Sequence, residues 1–345
     1  MANYSSISSY HVAALLPFTD CLIVFPYLWH LKKKTTTSLT LDYAGDRRQI
    51  EKDIRHGAFF MTNHRDIVMD AAWLSFLLRL RYCIRPYMGV GDNLFAKKWI
   101  EFFMRFNRCF AVKRNVGAHA QLENAKQLSA YIRYLRSRHK SIWLAQREGR
   151  AKDSNDITQP SVLHMLTLTD GDFYENVKAL NICPVSITYE YDPCDYLKAA
   201  EAQLKRDNPR WRKTKRDDVI SMKTGIQGWK GRVVYRLTPS INPEIDSMLN
   251  EHPEYRNEST HDQIQHVCDI IDRHIHLAYE IFERGTDFDE YIESRIAKID
   301  IPGKDEPFLR EKLYEMYRNP VLNHQKALNN KHPLSSPFRG LRGSN

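Results

Sequence analysis

Three observations predict an α/β layer architecture. Short apolar runs of strand character alternate with longer segments of helical period across residues 57–190. Polar turns follow two of those runs directly, at 62–66 and 147–156, where an α/β sheet collects its chemistry. The chain of 345 residues is 42% hydrophobic, ample for a buried core.

The elements follow in order. Residues 12–29, "VAALLPFTDCLIVFPYLW", are mostly apolar. They begin without Lys or Arg, unlike a secretory signal, and Pro17, Asp20 and Pro26 interrupt any spanning helix. Lys32, Lys33 and Lys34 come directly after. Two readings stand open: a membrane-surface anchor, or a buried first element with a solvated basic turn. "SLTLDYAG" at 38–45 is extended, within a polar and charged stretch 35–56. "GAFFMTNH" at 57–64 is a buried strand entering a polar turn, and "IVMDAAWLSFLLRL" at 67–80 is a largely buried helix. "CIRPYMGVGD" returns as strand and turn. Residues 93–107 form a basic, aromatic amphipathic helix suited either to an anionic bilayer or to a core with a basic outer face. "CFAVKR" at 109–114 is a short strand. Leu122, Ala125, Leu128, Ile132 and Leu135 share one face of a helix over 120–138. "SIWLAQ" at 141–146 is the next strand, 161–168 a helix and "ICPVSITYE" at 182–190 another buried strand. The Lys, Arg and Asp content of 198–224 predicts a helical, solvated insertion. "GRVVYRL" at 231–237 is a strand and 261–282 an amphipathic helix. Its histidines, His261, His266, His274 and His276, are spread over several faces, which speaks against metal ligation. The tail from Asn329 is rich in Pro, Ser and Gly and is expected to be disordered. The division expected is 1–54 as a possible membrane-surface segment, 55–240 as the main domain, 241–328 as a helical region and 329–345 as tail.

The 51 Lys and Arg against 42 Asp and Glu give a net charge of +9, which favours anionic partners. The six cysteines, Cys21, Cys83, Cys109, Cys183, Cys194 and Cys268, form no C-x-x-C pair and suit reduced thiols in a cytoplasmic setting.

"TNHRDIVMD" at 62–70 contains H-R-D, as in protein kinases. A kinase loop needs an Asn four residues after the Asp-Leu, but Ala71 stands there, and no G-x-G-x-x-G precedes His64. The kinase reading therefore fails. Acyl transfer from a thioester to an alcohol needs a base, a carboxylate behind it and cations where the acceptor carries a phosphate. The sequence supplies them in order: His64 with Asp66 and Asp70, then Lys113 and Arg114 closing a strand, then Arg147, Glu148, Gly149, Arg150 and Lys152 in a turn.

With "NHRDIVMD", "CFAVKR", "EGRAK" and "CPVSI" in that order, residues 55–190 resemble the glycerol-3-phosphate and lysophospholipid acyltransferase superfamily. Its motifs are N-H-x-x-x-x-D, a strand ending in basic residues, E-G-x-R-S and x-P-V-x-I. The form N-H-R-D-I-V is similar to a divergent bacterial branch of it. The resemblance implies the PlsC-like fold, with a mixed central sheet flanked by helices. It implies His64 as general base, Lys113, Arg114, Arg150 and Lys152 facing an acceptor phosphate, and Glu148 and Gly149 shaping that pocket. Pro184 would flank the donor site. It implies acyl-CoA or acyl carrier protein as donor, and glycerol 3-phosphate or a lysophospholipid such as lysophosphatidate as acceptor. No metal or organic cofactor is called for. The enzyme would work in phospholipid biosynthesis, peripheral on the inner face of the cytoplasmic membrane.

Two departures matter. Asp70 lies one residue beyond the family position, which Met69 occupies, and Gly149 and Arg150 are adjacent where the family has a residue between. Either Asp70 or Asp66 could hold His64. Asp70 is favoured, because a carboxylate in an apolar helix is costly without a partner, whereas Asp66 can serve as a helix cap. Two rivals remain: a non-enzymatic protein binding anionic lipid or nucleic acid, the latter not expected, and an acyltransferase for an acceptor without phosphate.

Overall fold

The computed structural model describes residues 24–95, 98–113 and 118–329. Most of the apolar run 12–29, together with Arg114 and the tail after Asn329, falls outside them.

The chain begins with α1 (Phe25–Thr35), β1 (Ser38–Tyr43) and α2 (Arg47–Arg55). The polar composition of 35–56 concealed α2: only Ile50 and Ile54, four apart, are buried. Asp46 starts the helix by accepting a hydrogen bond from Arg48 N at 2.9 Å. Then come β2 (Phe59–Thr62), α3 (Met69–Tyr82), β3 (Tyr87–Gly91), a short 3-10 turn, α4 (Lys98–Phe106) and β4 (Cys109–Val112). After these are α5 (Ala118–Ser137), β5 (Ile142–Ala145), α6 (Pro160–Leu166), α7 (Phe173–Leu180) and β6 (Ile182–Tyr189). The chain continues through α8 (Asp195–Asp207), α9 (Lys215–Gln227), β7 (Arg232–Leu237), α10 (Asn242–Glu251), α11 (Thr260–Leu277), α12 (Phe288–Ile296) and α13 (Glu306–Asn329).

Seven strands form one mixed sheet in the order β1-β7-β6-β2-β5-β3-β4. The β6–β7 pair is antiparallel and the other pairs are parallel. The ends of β2 to β6 therefore gather at one edge of the sheet, where β1 and β7 begin. Alternate strand residues feed two cores. Phe60, Trp143, Cys183 and Val185 pack with α3, α1 and α2. Phe59, Met61, Ile142, Leu144 and Ile182 pack with α5, α6, α7, α10 and α11. Covering on both faces explains the continuous apolar runs in the sequence. Residues of α10 and α11 pack into the sheet's second core.

A third cluster unites Ala199 of α8 with Phe288, Ile292 and Ile296 of α12 and Leu309, Leu313 and Met316 of α13. This corrects the expectation of a solvated insertion over 198–224. The segment is helical, but Lys198, Ala199, Glu201 and Gln203 are buried. Lys198 and Glu201 look like surface residues by composition, yet each is held in an ion pair. Cys109, Cys183, Cys194 and Cys268 are free and buried, while Cys83 is free and exposed. Among the described residues, no helix is long and apolar enough to cross a membrane.

Candidate active site

The turn after β2 is fixed by Asn63, whose carboxamide extends the sheet. Its Oδ1 accepts from Ile187 N at 2.7 Å, and its Nδ2 donates to Ile187 O at 2.9 Å and to Asp156 Oδ2 at 3.1 Å. The next residue is His64. Its Nδ1 lies 2.9 Å from Oδ2 of Asp70, in the first turn of α3. Asp70 is fully buried. The same Oδ2 accepts from Arg65 N at 2.7 Å and Asp66 N at 2.9 Å, and Oδ1 accepts from Tyr189 OH at 2.8 Å. Those donors, at the helix N-terminus, satisfy both oxygens of a carboxylate that is out of reach of solvent. With Nδ1–H donated to Asp70, Nε2 is left for a substrate proton; this tautomer follows from the hydrogen bonding. The ring is mostly buried, its edge toward Trp143 at 6.4 Å between centroids.

The extra residue in the motif is absorbed before the helix. His64 to Val68 form a non-helical turn, and α3 begins only at Met69. Asp66 occupies that turn as a cap. Its Oδ1 accepts from Val68 N and Met69 N, each at 2.8 Å, so its hydrogen bonds go to the helix start. Burial and the neighbouring Asp70 charge raise its pKa above the usual carboxylate range. Gly225 of α9 packs on this carboxylate so closely that a Cβ there would overlap it.

The predicted cations divide. Lys113, at the end of β4, is exposed and donates to Asn124 Oδ1 at 3.1 Å. Two strands, β5 and β3, separate it from β2, a distance of roughly 14 Å across the sheet. Arg114 lies outside the described residues. Glu148 is exposed at the tip of the loop after β5, where Gly149 takes a φ of +71°. Arg150 turns inward and is 6% exposed. Burial works against its charge, but Cys194, Asp66 and Asp192 outweigh it and raise its pKa. Lys152 sits 2.6 Å from Glu201, and burial with the nearby Arg150 charge lowers it to about 8.

Several polar residues around the site carried no motif. Arg65 Nη2 pairs with Asp156 Oδ2 at 2.7 Å, and Tyr279 OH donates to the same oxygen at 2.6 Å. Lys198, 1% exposed, donates to Asp192 Oδ2 at 2.5 Å and Arg65 O at 3.3 Å. Lys230, just before β7, is buried near the Trp73 ring, and burial lowers it to about 8. From the far end of the chain, Asn319 donates to Asp153 O at 2.8 Å and Asn323 to Asn155 Oδ1 at 3.1 Å, tying down the loop after β5. Only Arg65 could have been noticed, since it lies inside the first motif; the others are joined to it solely by tertiary packing. Three of the four histidines of α11 have structural partners: His266 meets Glu258, His274 meets Glu244, and His276 meets Asp156 O. Among the described residues, no group of three or more His, Cys, Asp or Glu could hold a metal ion.

A histidine backed by a buried carboxylate at the strand-end edge of a mixed sheet is the arrangement of a general-base site. Residues 44–187 match the family model described as Acyltransferase. Over that segment the chain is similar to acyltransferases, and the match supports acyl transfer as its general activity. The segment includes β2 to β5, most of β6 and the loops bearing His64, Lys113 and Arg150, but not α8 to α13. No curated protein matches the chain.

Proposed function

We propose that the protein transfers a fatty acyl group from a thioester, acyl-CoA or acyl carrier protein, to a hydroxyl of glycerol 3-phosphate or a lysophospholipid. The observation that carries this reading is the His64–Asp70 contact at 2.9 Å, with Asp70 buried and hydrogen-bonded on both oxygens. Nε2 of His64 takes the proton of the acceptor hydroxyl as its oxygen attacks the thioester carbon. The C–S bond then breaks, and the departing thiolate takes the proton back from the imidazolium. Asp70 holds the tautomer and stabilises the charged ring. No nucleophilic Ser or Cys of the protein is required. Lys152, Glu148 and Gly149 contribute the acceptor side, with Lys113 and Arg114 from the motif that precedes them. Arg150 acts from beneath as a buried charge, being 6% exposed.

Membrane contact at the inner face of the cytoplasmic membrane fits the outer surface of α1. Tyr27 and Trp29 are exposed there beside exposed Lys33 and Lys34. Phe102 of α4 is 63% exposed beside a basic residue, Arg105.

The test is turnover. Purified protein in detergent or with membranes, labelled acyl-CoA or acyl carrier protein and a panel of acceptors should yield an acylated glycerolipid. His64→Ala should lose turnover by about 10²-fold or more. Full turnover in that variant sinks the mechanism. Salt-sensitive lipid binding indifferent to His64→Ala, with no turnover in the unaltered chain, would favour a binding protein instead.

A further inference from the structure

His64 and the loop after β5 hang on different strands, and one buried carboxylate joins them. Asp156, in that loop, is fully buried. Its Oδ2 accepts from Asn63 Nδ2 at 3.1 Å, from Arg65 Nη2 at 2.7 Å and from Tyr279 OH at 2.6 Å. Asn63 and Arg65 flank His64 in the chain, so one oxygen grips the turn on both sides of the base. Tyr279 reaches it from just past α11, outside the matched residues 44–187. The Arg65 backbone serves the base itself. Its N–H donates at 2.7 Å to the same Asp70 oxygen that His64 Nδ1 meets. Its side chain points the other way, to the loop.

The ends of the loop are fixed separately, by Gln146 N on Thr62 O at 2.8 Å and Gln159 N on Gln146 O at 3.0 Å. Between them, α8, α11 and α13 hold Lys152, Thr158 and Asp153 from outside. The Asp156 contacts tie the loop inward, to the turn of the base. A buried ion pair adds little stability over apolar side chains of the same size, because desolvation offsets the attraction. What the Arg65–Asp156 pair supplies is geometry, since a planar guanidinium fixes direction as well as distance.

Resting on the acyltransferase reading, in which this loop contributes the acceptor side, we propose that Arg65 and Asp156, braced by Tyr279, are positioning residues. They set the distance between His64 and the loop against which the acceptor lies. A misplacement of about 1 Å at such a distance can cost a large part of the rate. Arg65→Lys keeps the charge and loses the direction of the fork. Tyr279→Phe removes one hydroxyl and keeps the ring.

Steady-state kinetics with each substrate varied in turn read the effect. Arg65→Lys should raise the acceptor KM about tenfold with the donor KM unchanged, and Tyr279→Phe should raise it about threefold. The two substitutions together should give less than the product of their separate effects, because both act on Asp156 Oδ2. A purely structural role would lower the folded fraction, and with it the maximal rate, while leaving both KM values as they are. Unchanged KM values in Arg65→Lys, or an equal rise in both, therefore overturn the proposal. Should Arg65→Lys fail to fold, Tyr279→Phe decides by the same criterion. A second readout is independent of turnover. Brief trypsin digestion well below Tm, followed by mass spectrometry, measures cleavage after Arg147, Arg150 and Lys152 in the loop. It should quicken several-fold in both variants, with other sites cut as in the unaltered chain. If the unaltered chain acylates no acceptor, the acyltransferase reading fails. Loop cleavage at the unaltered rate in both variants would then overturn the join as well, whereas quickened cleavage would support it alone.

Discussion

Asp70 presents one oxygen to three donors and the other to a tyrosine, so replacing it by asparagine forces an N–H against at least one of those N–H or O–H groups. Asp70→Asn should therefore lower kcat by about 10²- to 10⁴-fold, with the acceptor KM nearly unchanged. Asp66→Asn should do little by comparison, since asparagine caps a helix about as well as aspartate. Steady-state kinetics of the two variants decide between them; a larger loss in Asp66→Asn would reverse the assignment. The pairing of His64 with Asp70 was legible because an ionised side chain in so apolar a helix needs a partner. Arg150 was less so. A loop arginine reads as a surface cation, and only the fold brings Asp66 and Asp192 around it.

The packing of α9 on the start of α3 depends on Gly225. A methyl group there meets the Asp66 carboxylate, a buried side chain held in place by Val68 N and Met69 N. Gly225→Ala should cost about 2 kcal/mol and lower Tm by several degrees, measurable by thermal melting at fixed pH. A Tm equal to the unaltered protein's would mean that α9 shifts freely on α3. The strands were legible because their two buried faces leave unbroken apolar runs, and α3 because nearly all its turns are buried. Strand order was not, since the antiparallel placement of β7 beside β6 is a long-range choice that no local pattern records. α8 was misjudged for the same reason in reverse: its charged residues are matched by partners far along the chain, as Gln203 is by Gly303 O at 2.7 Å.

Stability of the whole molecule should carry a pH dependence from the join between the site loop and α11. Thr158 N and Oγ1 donate to Asp272 Oδ1 at 2.8 and 2.5 Å. Burial raises the Asp272 carboxyl to about 7. An unfolded aspartate releases its proton near pH 4, so between there and about pH 7 the native state holds more protons. Stability therefore falls as pH rises through that window. Asp272→Asn keeps an oxygen for Thr158 and removes the ionisation. It should melt as the unaltered protein does at or below pH 4 and at a higher temperature than the unaltered protein at pH 8. Equal melting at both values would remove Asp272 from this role.

The ties from α13 to the loop after β5 set an order of events during synthesis. Every strand has been made by Leu237, yet Asn319 and Asn323 reach back across intervals of 166 and 168 residues to Asp153 and Asn155. Contacts of such separation form after local ones. A nascent chain halted before Asn319 would hold the complete sheet, the His64–Asp70 pair and all four motifs, while the loop opposite them still lacked its last two anchors. The loop facing the base is in this sense fastened only once Asn319 and Asn323 of α13 have been made.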